Sequence, residues 1–166
     1  MGRSQTEGGF TGYQKLVVIL MAFLQFSIIL DFMVMSPLGA MLMPALQITP
    51  SQFGLVVSAY AFSAGISAIS AAGFADRFDR KSLLLFFCAG FILGTFLCAI
   101  APTFHFLLIG RIVTGIFGGV IGSVVLAITT DLFSLQMRGR VMGVVQTAFA
   151  ASQILGLPIG LYFANV

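Results

Sequence analysis

Charge is what this chain has least of. Only 8% of its 166 residues are Asp, Glu, Lys or Arg, where a soluble domain carries ~25%. A soluble globular fold is thereby excluded. With 59% hydrophobic residues and a mean hydropathy of +1.10, the composition is that of an integral membrane protein. Histidine occurs once, as His105, and cysteine twice, as Cys88 and Cys98. No metal-ligand spacing can be assembled from them. The cysteines lie ten positions apart on one predicted helix, ~15 Å by helical rise, which is beyond disulfide reach. They read as apolar packing residues, and His105 as an interfacial residue at the outer membrane edge. No activated nucleophile or pair of carboxylates is present, so an enzyme is not expected. The net charge of +3 does not point to nucleic acid, because seven of the eight bases sit in predicted loops or the N-terminal tail and report topology.

The charges that do occur are gathered. The stretch Ala72-Gly73-Phe74-Ala75-Asp76-Arg77-Phe78-Asp79-Arg80-Lys81 holds two acids and three bases between long apolar runs. Burying such charges in hydrocarbon costs several kcal/mol each, so this hinge lies outside the bilayer, and its bases mark it as cytoplasmic. Five spans follow, over residues 16–46, 53–74, 83–100, 104–130 and 141–163, behind a polar, Gly-rich cytoplasmic tail at 1–14. The first is longer than the ~20 residues a span needs and too long for a cleavable signal. Pro37, Gly39 and Pro44 are expected to bend or end it.

Thr49-Pro50-Ser51-Gln52 reads as a capping box opening the second helix. Ser63, Gly65, Ser67 and Ser70 on the second helix, and Gly115, Gly118, Gly119 and Gly122 on the fourth, predict close helix contacts. The third helix, which lacks such features, is expected to face lipid. Arg3 and Lys15 precede the first helix, Arg77, Arg80 and Lys81 follow the second, and Arg138 and Arg140 follow the fourth, while the other two loops have no base. This distribution places the N-terminus in the cytoplasm and the end of the fifth helix outside. The expected surroundings are a lipid bilayer, with the bacterial inner membrane as the plasma membrane concerned.

Two ionisable groups fall deep in the predicted spans. Asp31 lies ~22 Å from the cytoplasmic start of the first helix and Arg111 ~10 Å from the outer start of the fourth. In a core of ~30 Å these depths nearly coincide, so the two can pair, which relieves much of the desolvation cost. Two readings stand. The pair locks two helices together, or it is a coupling site in which protonation of the aspartate releases the arginine. Gln146 and Gln153 share a face of the fifth helix, and Gln25 is a third amide. With Tyr60 and Phe117 they are candidates for lining a polar substrate cavity, or the amides form hydrogen bonds between helices.

The motifs carry a resemblance. The charged hinge is similar to the loop 2–3 signature of the major facilitator superfamily, G-x-L-A-D-R-x-G-R-[RK]. Asp76, Arg77, Arg80 and Lys81 fall on its charged positions, while Ala72 and Asp79 replace its two glycines. Asp79 can cap the third helix instead. Arg111-Ile112-Val113-Thr114-Gly115 with Gly118 and Gly119 resembles the helix 4 motif R-x-x-q-G-x-g-a-a. Asp31-Phe32-Met33-Val34-Met35-Ser36-Pro37-Leu38-Gly39 resembles the helix 1 motif of the twelve-helix drug:proton antiporter branch. Gly156, Pro158 and Gly160 resemble the helix 5 antiporter motif G-P-x-x-G-G with displaced glycines.

The resemblance implies an all-α fold of two six-helix halves, each an inverted pair of three-helix repeats, with cargo between them. It implies a secondary transporter exporting a drug, sugar or metabolite by alternating access, with the proton as coupling ion and no other cofactor. Asp31 and Arg111 would then couple protons. Asp76 would stabilise the outward-open state against a helix end in a C-terminal half, with Asp131, Arg77, Arg80, Lys81, Arg138 and Arg140 forming the neighbouring network. The alternative for that network is simple anchoring in the headgroups. Five helices correspond to most of one six-helix half. The missing partner would be the C-terminal half of a longer transporter or a second chain. A half-size protein serving as a homodimeric half-transporter, or as a non-transporting assembly or regulatory subunit, is the other reading.

Overall fold

The computed structural model describes residues 10–74 and 77–165. They form five α-helices: α1 (Gly12–Leu46), α2 (Pro50–Phe74), α3 (Arg80–Ala99), α4 (Phe104–Leu132) and α5 (Leu135–Asn165). All five contain stretches long and apolar enough to cross a bilayer. Large apolar side chains such as Ile69 and Phe62 point outward, 79% and 73% exposed, an arrangement that suits a lipid environment.

Local chemistry sets the helix ends. Thr11 and Gln14 exchange hydrogen bonds in a capping box at the start of α1, and Gln47, in the left-handed region at φ 51°, closes it. Thr49 and Gln52 do the same for α2: Thr49 N donates to Gln52 Oε1 at 2.9 Å and Gln52 N to Thr49 Oγ1 at 3.2 Å. Asp79 caps α3, accepting from Ser82 N and Ser82 Oγ, both at 2.9 Å. Thr103 caps α4.

α1 ends at Leu46, where the sequence reading put its end, but three helices start earlier than expected: α1 at Gly12, α3 at Arg80 and α5 at Leu135. Pro37 and Pro44 lie inside α1 and do not end it; neighbouring groups in a helical membrane bundle can absorb the lost backbone bonds. With α3 and α5 starting there, Lys81 and Arg138 stand on first helical turns, Arg140 on the second turn of α5 and Asp131 on the last turn of α4, not in loops. Long basic side chains fit such positions because their stems run along the helix while their heads reach outward.

α4 is the centre of the bundle, with eleven buried residues. α2 packs against it through α4's glycines. A Cβ on Gly115 would lie 2.5 Å from Tyr60 O and one on Gly119 2.5 Å from Ser67 Oγ. Ser123 Oγ donates to Ala68 O at 3.2 Å further along. Gly65 and Gly122, expected to belong to the same contact, stand clear of it: a Cβ on either would meet no atom within 4 Å. Ser70 turns back to its own helix at Ile66 O. α3 packs on the other flank of α4, with Gly94 against Thr114 and Gly110 against Cys98. α3, expected to face lipid, is exposed on one side only: Leu83, Phe87, Phe91 and Gly94 are buried. α5 packs along α1, where Gly156 meets Met33 and Gly160 meets Pro37.

The bundle's two ends differ in chemistry. At one end Arg80 Nε donates to Asp131 Oδ2 at 3.0 Å, the Phe10 ring meets Phe133 edge-on at 5.9 Å, and Arg140 lies 5.3 Å over Phe10. The start of α1, the α2–α3 hinge and the α4–α5 turn therefore share that end. The other end carries no Asp, Glu, Lys or Arg in its two turns, and Leu46, Phe53, Ala101 and Phe104 pack there around Val56 and Leu107.

Candidate functional site

Asp31 and Arg111, 80 residues apart in the chain, meet in the middle of the bundle. Arg111 Nη1 donates to Asp31 Oδ2 at 2.8 Å. The arginine side chain is 2% exposed and the aspartate 14%. α4 brings Arg111 inward because the same face carries Leu107, Gly110, Thr114 and Gly115, all buried. The other aspartate oxygen, Oδ1, accepts from Thr95 Oγ1 of α3 at 3.4 Å. The Arg111 guanidinium carbon lies 4.6 Å over the ring of Tyr60, and Phe32 packs against that ring at 5.5 Å. Arg111 Nε and Nη2 are buried and meet no hydrogen-bond acceptor among the described residues.

The pair opens onto a cavity of about 810 Å³ between α1, α3 and α4. Its walls are mostly apolar, among them Leu30, Val34, Leu38, Phe91 and Ile92, and Asp31, Arg111, Thr95, Ser27 and Cys98 are its polar or polarisable members. Such a site can hold an apolar molecule beside a charge whose state depends on one proton. Removing a proton from the carboxyl restores the ion pair. Adding one frees the guanidinium from its counter-ion in a low-dielectric setting, where a lone charge is costly.

The other residues singled out from the sequence go elsewhere. Gln25, Tyr60, Phe117, Gln146 and Gln153 do not line this cavity. Gln146 and Gln153 are exposed on α5 and Gln25 is half-buried. Phe117 packs against Phe86 and Phe87, and Tyr60 is buried against Arg111. A shared face on α5 placed the two amides together without saying which way that face turns. Gly156 and Gly160 seat α5 on α1, while Pro158 is exposed. His105 is exposed at the start of α4, beside the Phe104 ring at 5.2 Å. Thr95 and Cys98 were not anticipated at the site. The one available signal was Thr95 as a hydroxyl amid the apolar run of α3.

At the charged end of the bundle, Arg80 of α3 pairs with Asp131 of α4, and Arg138 of α5 holds the end of α4 by donating to Thr130 O at 2.6 Å and Phe133 O at 3.0 Å. Arg77, Lys81 and Arg140 are exposed. Asp76 lies outside the described residues.

Comparison with known proteins adds the following. Residues 21–166 match the family model of the Major Facilitator Superfamily. The chain is 34% identical over 135 residues to an uncharacterized MFS-type transporter, YceJ, of Bacillus subtilis (strain 168), covering 81% of this chain and 35% of the relative. It is 36% identical over 85 residues to Multidrug resistance protein 3 of the same organism, covering 51% of this chain and 17% of the relative. The backbone superposes with a TM-score of 0.84, at 19% identity, on a bacterial homolog of the human lysosomal transporter Spinster in an inward-facing, occupied conformation, covering 92% of this chain and 33% of that one. The chain thus spans about a third of the length of the first curated relatives it matches.

Proposed function

Because this chain belongs to the major facilitator superfamily, we propose that it is the N-terminal part of a secondary transporter that exports a small molecule in exchange for protons, with Asp31 and Arg111 as the coupling pair. The observation that carries this is the 2.8 Å ion pair, nearly closed to solvent on the arginine side, at the wall of an apolar cavity of about 810 Å³. A pair serving only to hold α1 against α4 has no need of a cavity at the carboxylate. Ionisable groups inside membrane spans are expensive and mark ion or substrate pathways. The similarity to a multidrug resistance protein favours a lipophilic drug-like cargo, which the apolar walls can accept. The base-rich end faces the cytoplasm of a bacterial inner membrane under the positive-inside rule. There Asp76 with the Arg80–Asp131 pair forms the conformational switch, and the remaining helices come from the rest of the transporter or a second chain.

The test is transport by the full-length protein in proteoliposomes, with ethidium as the probe and an imposed pH gradient as the driving force. Asp31→Asn keeps the size and an acceptor oxygen for Arg111 but cannot take up a proton. It is expected to abolish gradient-driven ethidium movement while the protein still elutes as a folded particle. Unchanged gradient-driven transport in that variant reduces the pair to a structural tie.

A further inference from the structure

Arg111 has two partners, and only one of them can titrate away. The carboxylate of Asp31 sits at 2.8 Å from Nη1. The ring of Tyr60 lies under the guanidinium carbon at 4.6 Å, within the ~6 Å over which a cation is drawn to an aromatic face. Nε and Nη2 find no acceptor among the described residues, so beyond the carboxylate and the soft Cys98 sulfur beside it the ring is the group that stabilises this buried cation. Of the three tyrosines in the chain, Tyr13 and Tyr162 are exposed near helix ends, whereas Tyr60 is 6% exposed in the middle of α2.

The fold fixes this ring in place from several sides. Gly115 lets α2 approach α4 so closely that a Cβ there would meet Tyr60 O at 2.5 Å. A Cβ on Gly118 would lie 3.1 Å from Tyr60 Oη, and Phe32 of α1 packs against the ring. The groups around Asp31 are few. α4 presents Arg111, α2 presents Tyr60, and α3 presents the Thr95 hydroxyl and, beside Arg111, the Cys98 thiol. The ionisable groups of α5, namely Arg138, Arg140 and Tyr162, stand near its two ends, as Tyr13 and Lys15 stand at the start of α1.

We propose that Tyr60 is a positioning residue for the Asp31–Arg111 pair: its ring is the seat that keeps Arg111 compensated when Asp31 takes up a proton. The proposal rests on the proton-coupling reading of that pair. When Asp31 is ionised, Arg111 is held by both partners. When Asp31 is protonated, the ring and the neutral carboxyl's carbonyl oxygen are what remain. Freed from the negative charge, the guanidinium settles more fully on the ring, and by that gain in the protonated state Tyr60 raises the proton affinity of Asp31. Without the ring, an unpaired Arg111 is dearer and Asp31 protonates only at lower pH.

The test needs no substrate. Infrared difference spectra of the full-length protein in nanodiscs, recorded across a pH titration, report the carboxyl C=O band, and the band missing in Asp31→Asn belongs to Asp31. Tyr60→Phe keeps the π face and is expected to hold the midpoint within about 0.3 pH units, whereas Tyr60→Leu moves it down by about one unit, the size a cation–π contact supports. Should Tyr60→Leu fail to fold, phenylalanines bearing one, two and three fluorines at position 60 weaken the π face without altering packing, and the midpoint should fall stepwise along the series. An unmoved or rising midpoint in Tyr60→Leu or the fluorinated series overturns the role of Tyr60 while leaving the coupling pair intact. A midpoint that drops as far in Tyr60→Phe as in Tyr60→Leu overturns it too, since the hydroxyl and not the ring would be at work. If no band assignable to Asp31 titrates at all, the coupling reading falls, and the role of Tyr60 with it.

Discussion

Arg80 Nε donates to Asp131 Oδ2 at 3.0 Å, joining the first turn of α3 to the last turn of α4. The carboxylate side chain is 56% exposed, so solvent screens the pair and its share of stability is under ~1 kcal/mol. A double-mutant cycle with Arg80→Ala and Asp131→Ala, read by thermal unfolding in detergent, should return a coupling energy in that range that shrinks with added salt. If the proposed switch role holds, either single variant lowers the transport rate far more than it lowers Tm.

The central pair behaves differently because Arg111 is nearly inaccessible. An arginine cannot shed its charge, so removing its counter-ion strands a buried cation. Asp31→Ala is expected to destabilise the bundle by ~3 kcal/mol, whereas Asp31→Asn, which still offers Arg111 an amide oxygen, should cost ~1 kcal/mol. Chemical denaturation of both variants measures the ordering.

The α2–α4 contact depends on missing side chains. A Cβ on Gly119 would collide with Ala64 O and stand 2.5 Å from Ser67 Oγ, while one on Gly122 meets nothing within 4 Å. Gly119→Val should destabilise by more than ~2 kcal/mol, since backbone cannot step aside as a side chain can. Gly122→Ala should be neutral or stabilising by up to ~1 kcal/mol through helix propensity. Melting temperatures of the pair separate packing from propensity.

The cap of α3 should be pH-sensitive. The backbone N–H and then the hydroxyl of Ser82 hold the Asp79 carboxyl below its ordinary value. A carboxylate with a depressed folded value contributes stability that is present above its unfolded value and is lost as pH falls through the folded one. Asp79→Ala should therefore lower Tm at neutral pH, with the gap to the parent closing in acid. Asp79→Asn, a good cap that does not titrate, should show no acid-dependent gap to Asp79→Ala.

The class of protein, the five spans and the sorting of bases to alternate loops follow from the sequence by itself, because in a bilayer twenty apolar residues and a cluster of charges have only one arrangement each. The capping box at Thr49 and the N-cap at Asp79 are legible for a similar reason: a cap is made within four residues. The meeting of Asp31 with Arg111 could be expected from matched depths along two helices. Which way each helix turns is another matter. Helix rotation is set by side-chain packing between elements far apart in the chain, and spans this uniformly apolar leave little amphipathic signal to read it from. Only the tertiary structure placed Tyr60 under Arg111, brought Thr95 to Asp31, turned Gln146 and Gln153 outward and opened the cavity between α1 and α3. The close approach that decides these placements occurs where Gly115, Gly119, Gly156 and Gly160 let one backbone lie against the next.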